Sequence, residues 1–361
     1  MKTYLFYLKE ILQNFYSINW KGIRMKKTAA SILIGMLAVI LIFSSAMVII
    51  PGGIKGAVKE MAGLGSGRPV AIMVENSFAA RPQSGLYLAD VVFEVVDEYG
   101  ITRFVAIYCT KDASIVGPFR SSRPYYAEIA KSFDPIHCFF GTYPHCYQYI
   151  ESLGMYVMSA MTDRSGMSSI VGLCPYWRDW NRSKVQEHTA FTSTISIKQK
   201  AQQIGYPLEG NGIPFSYKGD AAEGDRGSIN NVFIDFGTPA YSPKGFNVNF
   251  QYDRNSNSYL RYMGGKAHVD HETGQIISAK NVVVLITDIV GPIDQYKHMS
   301  VRTTGSGQAF YFLDGNAVEG TWERGGASDP FTFKDGGGRI LSLNVGSTWV
   351  SMVMPGKVGW Q

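Results

Sequence analysis

Beyond residue 50 the chain has no net charge. The 361 residues hold 34 Lys and Arg against 29 Asp and Glu; six of the basic residues and one of the acidic ones lie in residues 1–50, leaving 28 of each sign. A neutral body has no general field to hold a polyanion, so nucleic acid is not an expected partner. Cysteine is scarce, at four residues: Cys109, Cys138, Cys146 and Cys174. Four cysteines allow three pairings and the sequence does not choose between them. Cys109 and Cys138 lie in apolar runs, where a thiol reads as a small buried hydrophobe, and no obligatory disulfide is expected. G-x-S-x-G, the P-loop, H-E-x-x-H and C-x-x-C are all missing, so the common nucleophile and nucleotide chemistries have no direct support. There is no internal repeat and no low-complexity tract.

What is present begins with one long apolar run. Residues 29–50, "AASILIGMLAVILIFSSAMVII", carry no charge. As a helix they would extend about 33 Å, enough to cross the hydrocarbon core of a bilayer. Four cations precede the run closely and only Lys55 follows it, which predicts residues 1–28 in the cytoplasm and the rest outside. A secretory signal starting at Met25 is the other reading. It lacks an A-x-A site and a cysteine that could take a lipid, so an uncleaved single-pass anchor is expected.

Residues 51–67 are Gly-rich and read as a tether. Residues 68–206 then alternate short apolar strands ("PVAIMVE", "ADVVFEVVDEY", "RFVAIYCT", "IHCFFGT") with helical segments after Arg123, at "PHCYQYIESLG" and at "TSTISIKQKAQQIG". Such interleaving predicts a mixed α/β (α+β) N-terminal domain. Residues 207–230 form a Pro/Gly/Asp-rich linker. Residues 231–361 show strands only, separated by Asn, Gly and Asp turns, and predict a β-rich C-terminal domain in the form of a small barrel or sandwich.

Glu94 is the polar exception inside "VVFEVV", a run apolar on both faces. A buried carboxylate is costly unless it is paired and hydrogen-bonded. Arg103, Arg120 and Arg123 are the expected partners, and Asp90 is a second acid for them. Arg120 and Arg123, in "VGPFRSSRP", stand at the start of a helix, where the macrodipole disfavours cations. They serve either as structural ion pairs or, beside helix amides, as an anion site. "GKAHVDHETG" places His268, Asp270 and Glu272 on one strand face or forms an ordinary hairpin turn, and the turn is favoured. The two His-Cys pairs in "HCFFGTYPHC" lack zinc-finger spacing. Trp177 in "PYWRDW" stacks on a sugar or packs in a core. Neither a metal nor a cofactor is expected.

The segments "RPVAIMVENSFAARPQSGLYLADVVFEVVDEYGITRFVAIY" and "VGPFRSSRPYYAEIAKSFDPI", with "NSYLRYMGGKAHVDHETGQIISAKNVVVL" and "AVEGTWERG" further on, resemble the YerB-type lipoproteins of bacteria over residues 68 to about 355. Those are two-domain envelope proteins of unknown function. The family pattern falls on Arg81, Gln83, Ser84, Glu94, Thr102, Arg103, Arg120, Ser121, Arg123 and Asp134, and on Arg178, Asp179 and His188. Thr189 and Phe191 depart from it, and the lipoprotein cysteine is replaced by the apolar anchor. The resemblance implies a surface-tethered envelope protein linked to peptidoglycan or its synthases, and it brings no established reaction.

Three functions follow. The first is a membrane-anchored binding protein that holds an anionic or glycan ligand in one cleft lined by the arginines, Glu94 and His188. The second is a cell-envelope hydrolase or transferase with Glu94 or His188 as general base. The third is a structural partner of a cell-wall synthase complex.

Overall fold

The computed structural model describes residues 67–161, 169–242 and 245–361. The expected cytoplasmic segment 1–28, anchor 29–50 and residues 51–66 of the tether lie outside them. Among the described residues no helix is long and apolar enough to cross a membrane.

The first half supplies five strands of the main sheet: β1 (Val70–Glu75), β2 (Val91–Val96), β3 (Thr102–Tyr108), β4 (Ile136–Phe139) and β5 (Tyr156–Ser159). Helices α1 (Pro124–Lys131) and α2 (Pro144–Ser152) each open on proline, whose missing N–H costs no bond in a first turn. Helix α3 (Thr194–Gln203) is capped by Ser193, whose Oγ accepts from the Ser196 amide at 3.0 Å. Gly205, at φ +79°, then turns the chain away. These elements agree with the strands and helices read from the sequence, and Gly100 (φ +75°) turns the chain between β2 and β3.

The second half supplies β6 (Asn231–Ile234), β7 (Val248–Asp253), β8 (Ser258–Met263), β9 (Lys266–Ala267), β10 (Ser278–Ala279) and β11 (Asn281–Ile286). It continues with β12 (Gly305–Leu313), β13 (Asn316–Arg324), β14 (Thr332–Asp335), β15 (Thr348–Val353) and β16 (Val358–Trp360). It is β-rich, as its turn pattern implies.

These strands divide between two sheets, apart from short two-stranded pairs such as Ile289–Val290 with Ser300–Val301. Five join those of the first half in one ten-stranded sheet, ordered β14-β13-β12-β11-β15-β2-β3-β1-β4-β5. The seam is the parallel pairing of β15 with β2, which sets Thr348 beside Val91 and Ser351 beside Glu94. The strands on either side of residues 207–230 thus share one hydrogen-bonded layer. The remaining strands form a second sheet, β9-β8-β7-β6-β16, with β10 paired to β8.

Both faces of the large sheet are covered, which is why its central strands are apolar throughout rather than alternating. On one face α1 and α2 pack over Phe93, Val105 and Phe139. On the other, Ile72, Val92, Phe104 and Trp349 meet Val232, Phe250 and Tyr259 of the second sheet and Ile197 and Ala201 of α3.

Candidate ligand-binding site

The pleat decides which charged residues can meet. Across the β2–β3 pair Glu94 stands opposite Phe104, whereas Arg103 stands opposite Val95. Residues one apart along a strand face opposite sides, so Glu94 points toward the second sheet and Arg103 toward the helices. Arg103, Arg120 and Arg123, expected as partners of Glu94, are therefore on the wrong side of the sheet.

The partner is Arg261. It follows Tyr259 and precedes Met263 on the inward face of β8, whose other residues turn outward. Its Nη2 lies 2.6 Å from Glu94 Oε2, and both side chains are fully buried. Glu94 also accepts from Thr102 Oγ1 (2.7 Å), Trp349 Nε1 (3.3 Å) and Asn76 Nδ2 (3.4 Å). The Arg261 guanidinium is 4.4 Å from the Trp349 ring centre and 5.5 Å from that of Phe104. Every contact of Glu94 is internal, which leaves no space for a substrate at its carboxylate.

Arg261 also donates to His268 Nδ1, and His268 Nε2 lies 2.8 Å from Gln83 Oε1. Since Arg261 can only donate, Nδ1 is the acceptor and the proton sits on Nε2. Burial, with Arg261 and Arg81 nearby, holds His268 well below the ordinary histidine range. It is a neutral bridge. The turn reading of "DHETG" is what forms, with Asp270 accepting from the Gly85 and Glu272 amides at 2.7 and 3.0 Å. Among the described residues no group of His, Cys, Asp and Glu is placed to hold a metal.

Gln83 completes the layer by donating to the Glu75 carbonyl and to Asn76 Oδ1, both at 2.9 Å. Arg81 lies beyond it. Its Nε and Nη2 donate to the Asn76 carbonyl at 3.2 and 3.0 Å, and its Nη1 to the Gly245 carbonyl at 3.1 Å. Phe78 and Phe246 flank it, each ring centre 4.6 Å from the guanidinium carbon. All its oxygen partners are neutral. A guanidinium carries five N–H groups, so among the described residues one on each Nη has no partner. Burial and the charge of Arg261 together lower Arg81 to about 10, against a partial opposing pull from Glu94. It stays cationic at neutral pH.

Arg81 and His268 line a cleft of about 310 Å³ with Phe78, Pro82, Met263, Gly264, Lys266, Ala267 and Val269. The charge balance beneath it is unequal. Arg261 takes the carboxylate of Glu94, which acts on Arg81 only at longer range, His268 is neutral, and Lys266 adds a further cation at the rim. The walls are largely apolar. An uncompensated cation under apolar walls is suited to an anionic group on an amphipathic molecule.

The other residues singled out in the sequence fall into separate groups, not one cleft with Arg81. On the helix side Arg103 Nη2 contacts Asp97 Oδ2 at 2.5 Å, and its Nη1 donates to the Ser121 carbonyl at 2.8 Å. Arg123, the N-cap residue of α1, bonds Glu98 through Nε and approaches Asp97 Oδ1 at 3.7 Å. Burial alone would raise Asp97, but Arg103 and Arg123 bring it below the usual carboxylate range. Burial and the Asp97 charge raise Glu98. Arg123, the cation that opens α1, thus answers two acids from the β2–β3 turn and forms structural ion pairs with them.

A third group surrounds Glu75. His188 Nδ1 is 3.0 Å from Glu75 Oε2, Ser77 donates to Oε1 at 2.6 Å, and Arg120 lies 3.6 Å away while reaching Glu187 at 3.2 Å. Nearby, Ser84 bonds Glu272 (2.7 Å) and accepts from Arg182 (2.9 Å). Arg178 donates to the Gln186 carbonyl (2.7 Å) and Thr189 Oγ1 (3.0 Å), and Asp179 caps the Asn181 amide (2.9 Å). These contacts brace the 177–191 segment. Asp134 pairs with Arg68 at 2.5 Å, and Asp90 accepts from the Cys109 and Thr110 amides rather than from any arginine. Trp177 is 40% exposed with its ring stacked on Phe191, so it is neither core nor free-standing.

Reading the sequence for chemistry missed Arg261, Lys266, Phe78 and Asn76. For Arg261 the signal was there: a cation on the inward face of the alternating strand "SYLRYM" is as anomalous as Glu94 in "VVFEVV".

Two family models match the chain: the N-terminal domain of "Protein of unknown function (DUF3048)" over residues 56–207 and the corresponding C-terminal domain over residues 238–350. The chain belongs to this family. It is 31% identical over 288 residues to the Bacillus subtilis (strain 168) protein named "Putative lipoprotein YerB", covering 79% of this chain and 81% of that one. The crystal structure of YerB from Bacillus subtilis superimposes with a TM-score of 0.70 at 29% identity, over 82% of this chain and 95% of that one. The YerB-type resemblance read from the sequence is therefore correct.

Proposed function

We propose that this DUF3048 protein is an extracytoplasmic envelope protein, held at the membrane through residues 29–50, that binds an anionic, peptidoglycan-related ligand in the Arg81–Lys266 cleft. The observation that carries this reading is the charge imbalance at the cleft floor, where Arg81 and Arg261 face the single carboxylate Glu94. An anion docking on the two unengaged N–H groups of Arg81 would complete the balance and form charge-assisted bonds. The name of the Bacillus subtilis relative, a lipoprotein, supports placement at the envelope. The enclosed Glu94 favours binding over catalysis. Its carboxylate acts as a counter-ion that positions Arg261.

The test is co-sedimentation of the full chain, in detergent micelles, with purified cell-wall sacculi. One set of sacculi carries its phosphate-rich polymers and another is stripped of them by acid extraction. The parent is compared with Arg81→Met/Lys266→Met after both are shown to melt cooperatively at similar temperatures. Pelleting of the parent and loss of at least tenfold in affinity for the variant support the cleft. Equal pelleting of the two removes it.

A further inference from the structure

The strand directions bring four exposed apolar side chains to one end of the large sheet. β2 and β11 both run parallel to β15, so the chain leaves their C-terminal ends on the same side. Tyr99 follows β2, and a hairpin built on the pairing of Ile289–Val290 with Ser300–Val301 follows β11. Tyr296, Tyr99, Val290 and Ile293 are 65%, 64%, 62% and 56% exposed, four of the five most exposed large apolar side chains among the described residues. They are held there. Ile289, Met299 and Val301 root the hairpin in the helix-side core. Across its tip the Ile293 amide donates to the His298 carbonyl at 2.9 Å. Asp294 accepts from the Tyr296 and His298 amides at 3.0 and 3.1 Å and from His298 Nδ1 at 2.6 Å. The His298 ring centre is 4.5 Å from that of Tyr143, and its Nε2 lies 3.7 Å from Glu98 Oε1, which ties the hairpin to the turn that carries Tyr99. Tyr99 takes φ +59°, uncommon for so large a side chain. The Asp294 carboxylate is thus engaged within the hairpin, while the Lys297 ammonium has no partner among the described residues.

We infer that this end of the molecule docks on the surface of a lipid bilayer, with Tyr99, Val290, Ile293 and Tyr296 entering the headgroup boundary and Lys297 meeting anionic headgroups. Tyrosine rings beside aliphatic side chains and an ammonium are the composition of an interfacial anchor. The one acid at the hairpin tip already has its own donors, so an anionic surface meets Lys297 with that carboxylate turned inward. Because the hairpin is rooted in the core, docking does not have to order it first. The inference rests on attachment to the membrane through residues 29–50 and not on the Arg81 cleft. Residue 67 lies at the other end of the sheet, since β1 and β2 both run antiparallel to β3 and are therefore parallel to each other. A strand of six residues is about 20 Å long, and residues 51–66 can extend to about 53 Å, so the tether reaches past the sheet. A tether of that length holds the domain at an effective concentration on the order of millimolar, at which a weak contact with lipid persists.

The experiment reconstitutes the full chain into vesicles of phosphatidylcholine and phosphatidylglycerol. A nitroxide is placed on Ile293→Cys or, as the reference, on Ile340→Cys. Ile340 is also exposed but lies beside Lys334, at the opposite end of the sheet. Both carry Cys109→Ala, which leaves three enclosed native thiols. Collision of each label with oxygen and with a water-soluble nickel chelate is measured by electron paramagnetic resonance. The expected result is a label at residue 293 about threefold less accessible to the chelate than the one at residue 340, and more accessible to oxygen. Adding Tyr99→Ser and Tyr296→Ser should restore access of the chelate to residue 293. Flotation of the chain with the vesicles reads the attachment separately. Flotation with equal exposure, or equal shielding, of the two labels overturns the docking and leaves the attachment standing, whereas failure to float removes both. Label–label broadening at residue 293 that grows with protein density would mean that a second copy covers the patch, and it too overturns the assignment.

Discussion

The carboxylate of Glu94 and the guanidinium of Arg261 sit 2.6 Å apart, across 167 residues of sequence, with no exposed surface on either side chain. The pair joins the ten-stranded sheet to the second sheet at the floor of the cleft. Breaking such a pair from one side leaves a buried charge without its partner, which costs about 3–5 kcal/mol. Arg261→Met should therefore destabilise strongly, and Glu94→Leu similarly. The double variant should lose less than the sum of the two, with a coupling of at least about 2 kcal/mol. Recovery is incomplete because Thr102, Trp349 and His268 each lose a partner as well. Urea unfolding of the four proteins measures the cycle, and strict additivity would contradict the pairing.

Asp314 gives a prediction in pH. It occupies the turn between β12 and β13 at φ +54°, its side chain almost wholly enclosed. Its Oδ1 accepts from Asn257 and Asn344 at 2.7 Å each, and Lys218 contacts Oδ2 at 2.5 Å. Burial would raise its pKa, but these donors, led by Lys218, bring it down to about 2. A carboxyl depressed on folding stabilises above its unfolded value of about 3.9, and the contribution disappears as pH falls through the folded value. Between pH 6 and pH 2.5 the parent should lose about 2 kcal/mol more than Asp314→Asn, which keeps the shape and tolerates the positive φ. Glu98, raised by burial and by Asp97, contributes in the opposite sense. The difference between the two proteins, not either curve alone, therefore isolates Asp314. Parallel curves would mean that the carboxylate charge is not what the turn uses.

Much of the local structure was legible because it has local causes. The strand runs, the Ser193 cap, the Gly205 stop and the Gly100 turn each follow from a few neighbouring residues. Glu94 could be recognised as anomalous from its own strand. Its partner could not be named without knowing that β8 crosses the same face, and pairings between remote strands leave no signature in either one. The parallel seam between β2 and β15 was illegible for the same reason. One error was avoidable. Counting pleats from the β2–β3 turn puts Arg103 opposite Val95 and so on the face away from Glu94. Arg81 and Gln83 were found through the family pattern, whereas Lys266 and Phe78 stand in polar loops and on short strands that carry no distinguishing pattern.

The two arginines of "VGPFRSSRP" should differ sharply. Arg123 is mostly buried and engages Glu98, Asp97 and the Ser122 carbonyl. Burial alone would lower its pKa, but Asp97 and Glu98 raise it. Removing it leaves two enclosed acids to share Arg103, so Arg123→Ala should cost about 3 kcal/mol. Arg120 is 25% exposed, and its nearer partner, Glu187, is 64% exposed. Solvent screens that pair, and Arg120→Ala should cost no more than about 1 kcal/mol. Urea midpoints of the two variants against the parent decide it. A larger loss for Arg120 would place the structural burden on the Glu75 cluster and return Arg123 to candidacy as a ligand contact. The expected order explains why a helix begins with Arg123 against its own dipole: the acids at the β2–β3 turn outweigh a macrodipole effect of about 0.3–1 kcal/mol per charge.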